Sequence, residues 1–238
     1  MIVEPFNHER VQFLDRLDIG GRSWLVDDVV SGLAEFMTER RRERIDQIID
    51  GRTRNIATVV ENIYDRGNVS AIMRSAEAFG FLDFHVVQQP GAEKFKAANR
   101  VSQGAHKWLN LCRHSSAKSC VEELHSLGVK VYATHLGASS QPIDDIDFSQ
   151  PSAIVFGNEH AGVTDELLEL CDGNVIIPMK GMTQSFNISV AGAISFYHIN
   201  YWRRQQGLAG DLTEQEKQQL RASYYLRSVE NSEKLLNR

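Results

Sequence analysis

Hydrophobic positions along this chain follow two rhythms. In the first fifty residues Val29, Val30, Leu33 and Phe36, then Ile45, Ile48 and Ile49, recur at helical spacing beside a run of arginines, which predicts a helical N-terminal extension. From Ile56 onward the apolar residues gather instead into short continuous runs: IATVVENI, FHVVQ at Phe84 to Gln88, VKVYATHL at Val129 to Leu136, SAIVFG at Ser152 to Gly157, and NVIIP ending at Pro178. Helical patterns separate them. One is NVSAIMRSAEAFG, with Asn68 near its N-cap and Gly80 as its stop; others run from about Ser116 to Leu127 and from about Thr164 to Leu170. Five apolar runs alternating with helices predict an α/β fold, a parallel sheet covered by helices on both faces, with ligands taken at the carboxyl ends of the strands.

The stretch from Ile176 to Asn200, IIPMKGMTQSFNISVAGAISFYHIN, passes from an apolar strand through a small-residue loop into a long apolar helix. Pro178 cannot continue a ladder, and Ser185, Asn187 and Ser189 are cap-type residues. Polar side chains and free amides therefore collect at a helix N-terminus, which suits anionic or acceptor-rich ligands; the same pattern also describes an ordinary βα loop with a serine cap. Pro90 to Asn110, with Lys94, Lys96, Arg100, Lys107 and Trp108, is loop-rich and polar, either a substrate-facing flap or a surface excursion. Past Asn200 a helix carries Arg203 and Arg204 to Gly207, and TEQEKQQLRASYYLRSVENSEKLL forms a final amphipathic helix.

Composition narrows the classes. With 42% apolar and 24% charged residues and no apolar run long enough to span a bilayer, the 238-residue chain has an ordinary globular make-up. The N-terminus carries no secretory or transit pattern, so a cytoplasmic location is expected. Cys112, Cys120 and Cys171 are odd in number and lack a CxxC pair, which predicts free thiols. Cys112, His114, Cys120 and His125 lie near one another in sequence but match no zinc signature, so no metal is expected. A net charge of −5 disfavours a polyanionic partner by itself. Distribution matters more: arginines cluster in ERRRER at Glu39 to Arg44, with Arg52 and Arg54 following, and again at Arg203, Arg204, Arg221 and Arg227.

Nucleotide and hydrolase fingerprints are absent, since GNEHAG lacks the Lys-Ser/Thr of a P-loop, no GxGxxG follows the first strand, and no GxSxG elbow occurs. What remains is a trio of loops at strand ends: NVSAIMRSAEAFG at Asn68 to Gly80, IVFGNEHAG at Ile154 to Gly162, and IIPMKGMTQSFNISVA at Ile176 to Ala191. In this order, separated by βα units, they resemble the three motifs of the SpoU branch of the SPOUT RNA 2'-O-ribose methyltransferases, over about residues 55 to 206. With KWLNL at Lys107 to Leu111 and YATHL at Tyr132 to Leu136, the wider pattern is similar to the branch that acts on guanosine-18 in the tRNA D-loop.

The resemblance implies a C-terminal trefoil knot, S-adenosylmethionine held bent in it, a tRNA substrate and a homodimer whose active site uses both subunits. Carried over, Asn68 and Arg74 match the first motif, Glu159 the second, and Ser185 and Asn187 the third, while Thr134, Gly157, Ile177, Met182 and Phe186 fall where the family grips its cofactor. Arg66-Gly67 stand where a Pro-His pair often precedes the asparagine, and Phe186 replaces a usual leucine. Arg74 is the family's candidate base; an arginine is effectively never deprotonated in a protein, which favours a clamp on the phosphate beside the target ribose. Arg40, Arg41, Arg42, Arg44, Arg52, Arg54, Arg203 and Arg204 are the candidate RNA contacts. The implied organisation is an RNA-contacting helical extension over 1–54, the methyltransferase domain over 55–206 and a helical extension over 207–238. An rRNA ribose methyltransferase of the same branch and an idle RNA-binding homologue are the alternatives.

Overall fold

Gly20 and Gly21, with φ of 59° and 77°, turn the chain between β1 (Arg16–Ile19) and β2 (Arg22–Leu25), an antiparallel hairpin where the helical pattern had been extended too far. A two-residue Gly-Gly turn matches the twist of its flanking strands, which a helix-period reading of nearby apolar positions overlooks. Helices then begin as expected. α1 (Val26–Ala34) buries Val29 and Leu33, and α2 (Glu39–Asp50) buries Ile45 and Ile49 after a Thr38 cap whose hydroxyl accepts from the Arg41 amide. Phe36, placed on the same stripe by its spacing, is exposed.

This computed structural model describes residues 15–88 and 99–237; Lys94 and Lys96 of the expected flap lie outside them. Chain contacts divide into one unit of residues 53–209 and another that joins the segments up to 52 and from 210.

The 53–209 unit contains β3 (Ile56–Glu61), α3 (Arg66–Ala78), β4 (Asp83–Val87), α4 (Asn99–Ser102), β5 (Asn110–His114), α5 (Ala117–Ser126), β6 (Lys130–Thr134), β7 (Gln141–Pro142), β8 (Ser152–Phe156), α6 (Asp165–Leu170), β9 (Gly173–Ile176) and α7 (Ile188–Gln205). The other unit closes with α8 (Glu214–Ser228) and α9 (Ser232–Leu236), so the final helical segment is two helices, broken where Asn231 takes φ of 54°. The strands form one seven-stranded sheet in the order β5-β4-β3-β8-β6-β9-β7, every neighbouring pair parallel. Five strands were expected. The two extra ones are its edges: β7 is two residues long, and β5, NLCRH, carries buried polar residues rather than an apolar run.

Burial on both faces explains why the central strands read as unbroken hydrophobic stretches. Every residue of β3 and β8 is buried. On one face Ile56, Val60, Ile154 and Phe156 meet α3 and α7 through Ile72, Met73, Phe196 and Ile199; on the other Ala57, Val59, Ala153 and Val155 meet α5 and α6 through Val121, Leu124 and Leu167. Gly192 allows α7 to lie against α3, where an added Cβ would stand 3.3 Å from Ile72. Among the described residues no helix is long and apolar enough to cross a membrane.

Phe196 is fully buried and stands edge-on to both Phe81 and Phe156, at centroid distances of 5.5 and 5.6 Å. Phe196→Ala removes both ring contacts and leaves a cavity between α7 and the sheet. The expected loss is about 3–5 kcal/mol of unfolding free energy, read from urea denaturation of the variant beside the parent.

Candidate active site

The carboxyl ends of β3, β8 and β9 carry the trio of loops singled out by sequence. After β3 the backbone turns at Asn62, with φ of 49°, and Asp65 caps α3 by accepting from the Gly67 amide at 2.7 Å. Asn68 is therefore not the cap, contrary to its sequence pattern: α3 begins at Arg66, one turn earlier than expected, and Asn68 lies inside its first turn. Its amide is left to bond sideways. Nδ2 donates to Glu159 Oε1 at 3.0 Å, and Oδ1 accepts from Asn187 Nδ2 at 3.2 Å. Asn187 is itself the cap of α7, its Oδ1 accepting from both the amide and the hydroxyl of Ser189. One hydrogen-bonded line thus crosses from the second loop through the first to the third.

The second loop is held by its own backbone. Asn158 and Gly162 bond amide to carbonyl in both directions, the Asn158 side chain accepts from the His160 and Ala161 amides, and its Nδ2 donates to the Asn62 carbonyl at 2.8 Å. The buried carboxylate of Glu61 at the end of β3 accepts from the amide and hydroxyl of Thr164, the cap of α6. Gly157 sits where this loop folds back on itself. A Cβ there would fall 2.2 Å from the Gly162 carbonyl carbon and the Val163 nitrogen. On the neighbouring strand the Thr134 hydroxyl donates to the Val155 carbonyl at 2.8 Å, keeping β6 and β8 in register below the loops.

Between the loops lies a cleft of about 560 Å³. Glu159, Ser185 and Asn187 line it, as do Thr134, Gly157, Ile177 and Phe186. Ile143, Phe156, Val175 and Ile188 supply apolar lining, which spacing alone did not single out because Phe156, Val175 and Ile188 belong equally to core strands or a helix and Ile143 sits in an acidic connecting segment. Ser195 was also missed. Its fully buried hydroxyl lines the cleft with no hydrogen-bond partner among the described residues. An apolar cleft of this size with a few converging polar groups suits a flat heteroaromatic ligand with polar edges, and an orphaned hydroxyl in its wall offers one more bond. S-adenosylmethionine fits that description.

Other expected residues stand elsewhere. Met182 is fully exposed and Arg74, exposed on α3, is also outside the cleft lining; among the described residues Arg74 has no hydrogen bond or ion pair. Arg40, Arg41 and Arg44 are exposed along α2 and Arg42 is half-buried. Arg204 is exposed, whereas Arg54 donates to Asp83 at 3.3 Å. Two of the candidate RNA contacts face inward. Arg203 is 3% exposed and its guanidinium donates to the Phe148 and Leu208 carbonyls; Arg52 is 1% exposed beside the Tyr224 ring. A side chain so enclosed cannot present its charge to a phosphate, because its donors satisfy buried carbonyls or pack on a ring.

Comparison with known proteins matches residues 55–197 to the SpoU rRNA methylase family. The tRNA (guanosine(18)-2'-O)-methyltransferase of Borreliella burgdorferi is 35% identical over 208 residues, 86% of this chain and 94% of that protein. A crystal structure of the A. aeolicus TrmH/SpoU tRNA modifying enzyme superposes with a TM-score of 0.74 at 30% identity, covering 80% of this chain and 98% of that one. The methyltransferase AviRb from Streptomyces viridochromogenes, solved in complex with the cofactor AdoMet, does so with a TM-score of 0.57 at 27% identity over 66% of this chain and 61% of that one.

Gly157→Ala drives a methyl group into the backbone of the second loop. It is expected to cost about 1–3 kcal/mol and to displace Glu159, so the variant binds S-adenosylhomocysteine far more weakly than the parent in calorimetry even below its unfolding transition.

Proposed function

The chain belongs to the SpoU rRNA methylase family, and on that premise we propose that it transfers a methyl group to the 2'-hydroxyl of guanosine-18 in the tRNA D-loop. The observation that carries this reading is the Glu159–Asn68–Asn187 line, whose two ends line the cleft and which ties the three family motifs together. S-adenosylmethionine bound there supplies an electrophilic sulfonium methyl. Ser185 and Asn187 would face the ribose, whose 2'-hydroxyl must meet that methyl in line, and Thr134, Gly157, Ile177 and Phe186, which line the same cleft, would hold the donor. Threading of the chain around the cleft as a trefoil knot belongs to the same reading.

Arg74 clamps the phosphate next to the target ribose, and a second copy of the chain completes the pocket. Two features support this. Arg74 stands outside the cleft of its own chain with no partner among the described residues, and α7 exposes Val190, Tyr197 and Tyr201 along one side, the last two stacked at 6.3 Å. An exposed apolar strip at helical spacing suits burial against another chain. Arg40, Arg41 and Arg44 track the tRNA backbone, and the enzyme works in the cytoplasm, where its substrate is.

Mapping of ribose methylation in unmodified tRNA exposed to the protein and S-adenosylmethionine should show a single mark at the D-loop guanosine. Arg74→Ala should lower the rate by about 100-fold, the scale of a misplaced reactant, with unchanged affinity for S-adenosylhomocysteine. Methylation of ribosomal RNA in preference to tRNA would overturn the substrate assignment, and a parent-like rate in Arg74→Ala would overturn the clamp.

Replacing Arg40, Arg41 and Arg44 together by alanine should weaken tRNA binding and reduce the slope of log K against log salt by about 2, close to three lost phosphate contacts. Filter binding at several salt concentrations measures it.

A further inference from the structure

At the far edge of the sheet, β4, β5 and α5 bring together a second group of reactive side chains. The period of two along β5 sends Cys112 and His114 to the same face, and the parallel register sets His85 of β4 opposite Cys112. α5 covers that face and presents Cys120 and Glu123, three residues apart. His85, Cys112, His114 and Cys120 are 2%, 7%, 9% and 0% exposed. The two imidazoles lie nearly parallel, at 13°, with His85 Nδ1 and His114 Nε2 2.9 Å apart, and His114 Nδ1 is 4.0 Å from Glu123 Oε2. Donor atoms of His85, His114 and Cys120 all fall within 4.8 Å of one another, and so do those of His85, Cys112 and Glu123. No metal was expected from the sequence, where Cys112, His114, Cys120 and His125 lie near one another; His125 turns outward to Asp172 at 2.9 Å, and His85 joins the group from another strand.

Two imidazoles and two thiols lie together against Val87, Val121 and Leu124, a nitrogen and sulfur donor set in an apolar setting. Only one proton can lie between the facing ring nitrogens. A divalent cation of borderline softness suits both imidazoles and the Cys120 sulfur, which form one cluster. Tetrahedral zinc has Zn–N near 2.0 Å and Zn–S near 2.3 Å, which sets its ligand atoms roughly 3.3–3.8 Å apart. The donor atoms of His85, His114 and Cys120, all within 4.8 Å of one another, lie near that spacing. Magnesium and calcium, which take oxygen ligands in larger shells, do not suit the donor set.

We propose that His85, His114 and Cys120 form a zinc site that staples β4 and β5 to α5. It is separate from the methyl-transfer cleft: none of its residues lines that cleft. Burial first, and then the Glu123 carboxylate, push the Cys120 thiol well above its usual pKa, so the metal must displace a proton held tightly in the apo protein.

The test is titration of the chelator-treated full chain with Co²⁺ and then Zn²⁺. One equivalent of Co²⁺ should give tetrahedral visible bands and a thiolate charge-transfer band, both erased by stoichiometric Zn²⁺, and Zn²⁺ should raise the melting temperature. His85→Ala and Cys120→Ser should each lose the charge-transfer band and bind Zn²⁺ about 100-fold more weakly, while His125→Ala binds as the parent does. A parent without the charge-transfer band, or His85→Ala binding like the parent, overturns the site. X-ray absorption of the Zn²⁺-loaded parent needs no variant to fold: a mixed nitrogen and sulfur shell supports the proposal, and an oxygen and nitrogen shell without sulfur refutes it.

Discussion

The Asn68 amide is engaged at both ends, and that double engagement is the constraint on which the cleft depends. An ionised carboxylate only accepts hydrogen bonds, so Glu159 fixes which end of the Asn68 amide faces it; the remaining oxygen must then accept from Asn187, whose own oxygen is committed to Ser189 at the start of α7. No member can flip alone. Residues 91 and 119 positions from Asn68 in the chain are thereby locked to it. Each bond is modest in net energy, on the order of 1 kcal/mol. Their effect is directional: they decide where polar atoms point at a place where chemistry needs them within a fraction of an ångström.

Around that line the backbone does what side chains cannot. Gly157 lets the second loop fold back within a distance that excludes any Cβ, and Gly192 lets α7 settle against α3. The proposed attraction of the substrate falls to a different part of the chain. A protein of net charge −5 approaches a polyanion only through local excess, and α2 supplies one in Arg40, Arg41 and Arg44. On the proposed function, binding by that surface and methyl transfer in the cleft are distinct physical tasks.

The central strands were legible because burial on both faces leaves continuous apolar runs, and the three loops were legible because Gly, Asn and Ser cluster at strand ends for stated reasons. What escaped did so for physical causes. β5 carries Asn110, Cys112 and His114 because one of its faces packs against a polar group of side chains, so no apolar run marks it. The β1–β2 hairpin was announced by Gly20-Gly21 but hidden by helical spacing on either side. Arg52 and Arg203 looked like surface charge because sequence does not reveal which carbonyls or rings lie within reach. His85 lies inside an apolar strand, and only the register of β4 on β5 shows what it faces.

Convergence of the three loops on one methyl-donor pocket is tested most directly by the single-turnover rate of methyl transfer to tRNA in Asn68→Asp. The substitution keeps shape but turns the donor that faces Glu159 into a second carboxylate, so the line breaks at its centre. The account predicts a rate lower by about 100-fold in a protein that still folds cooperatively; a parent-like rate would contradict it.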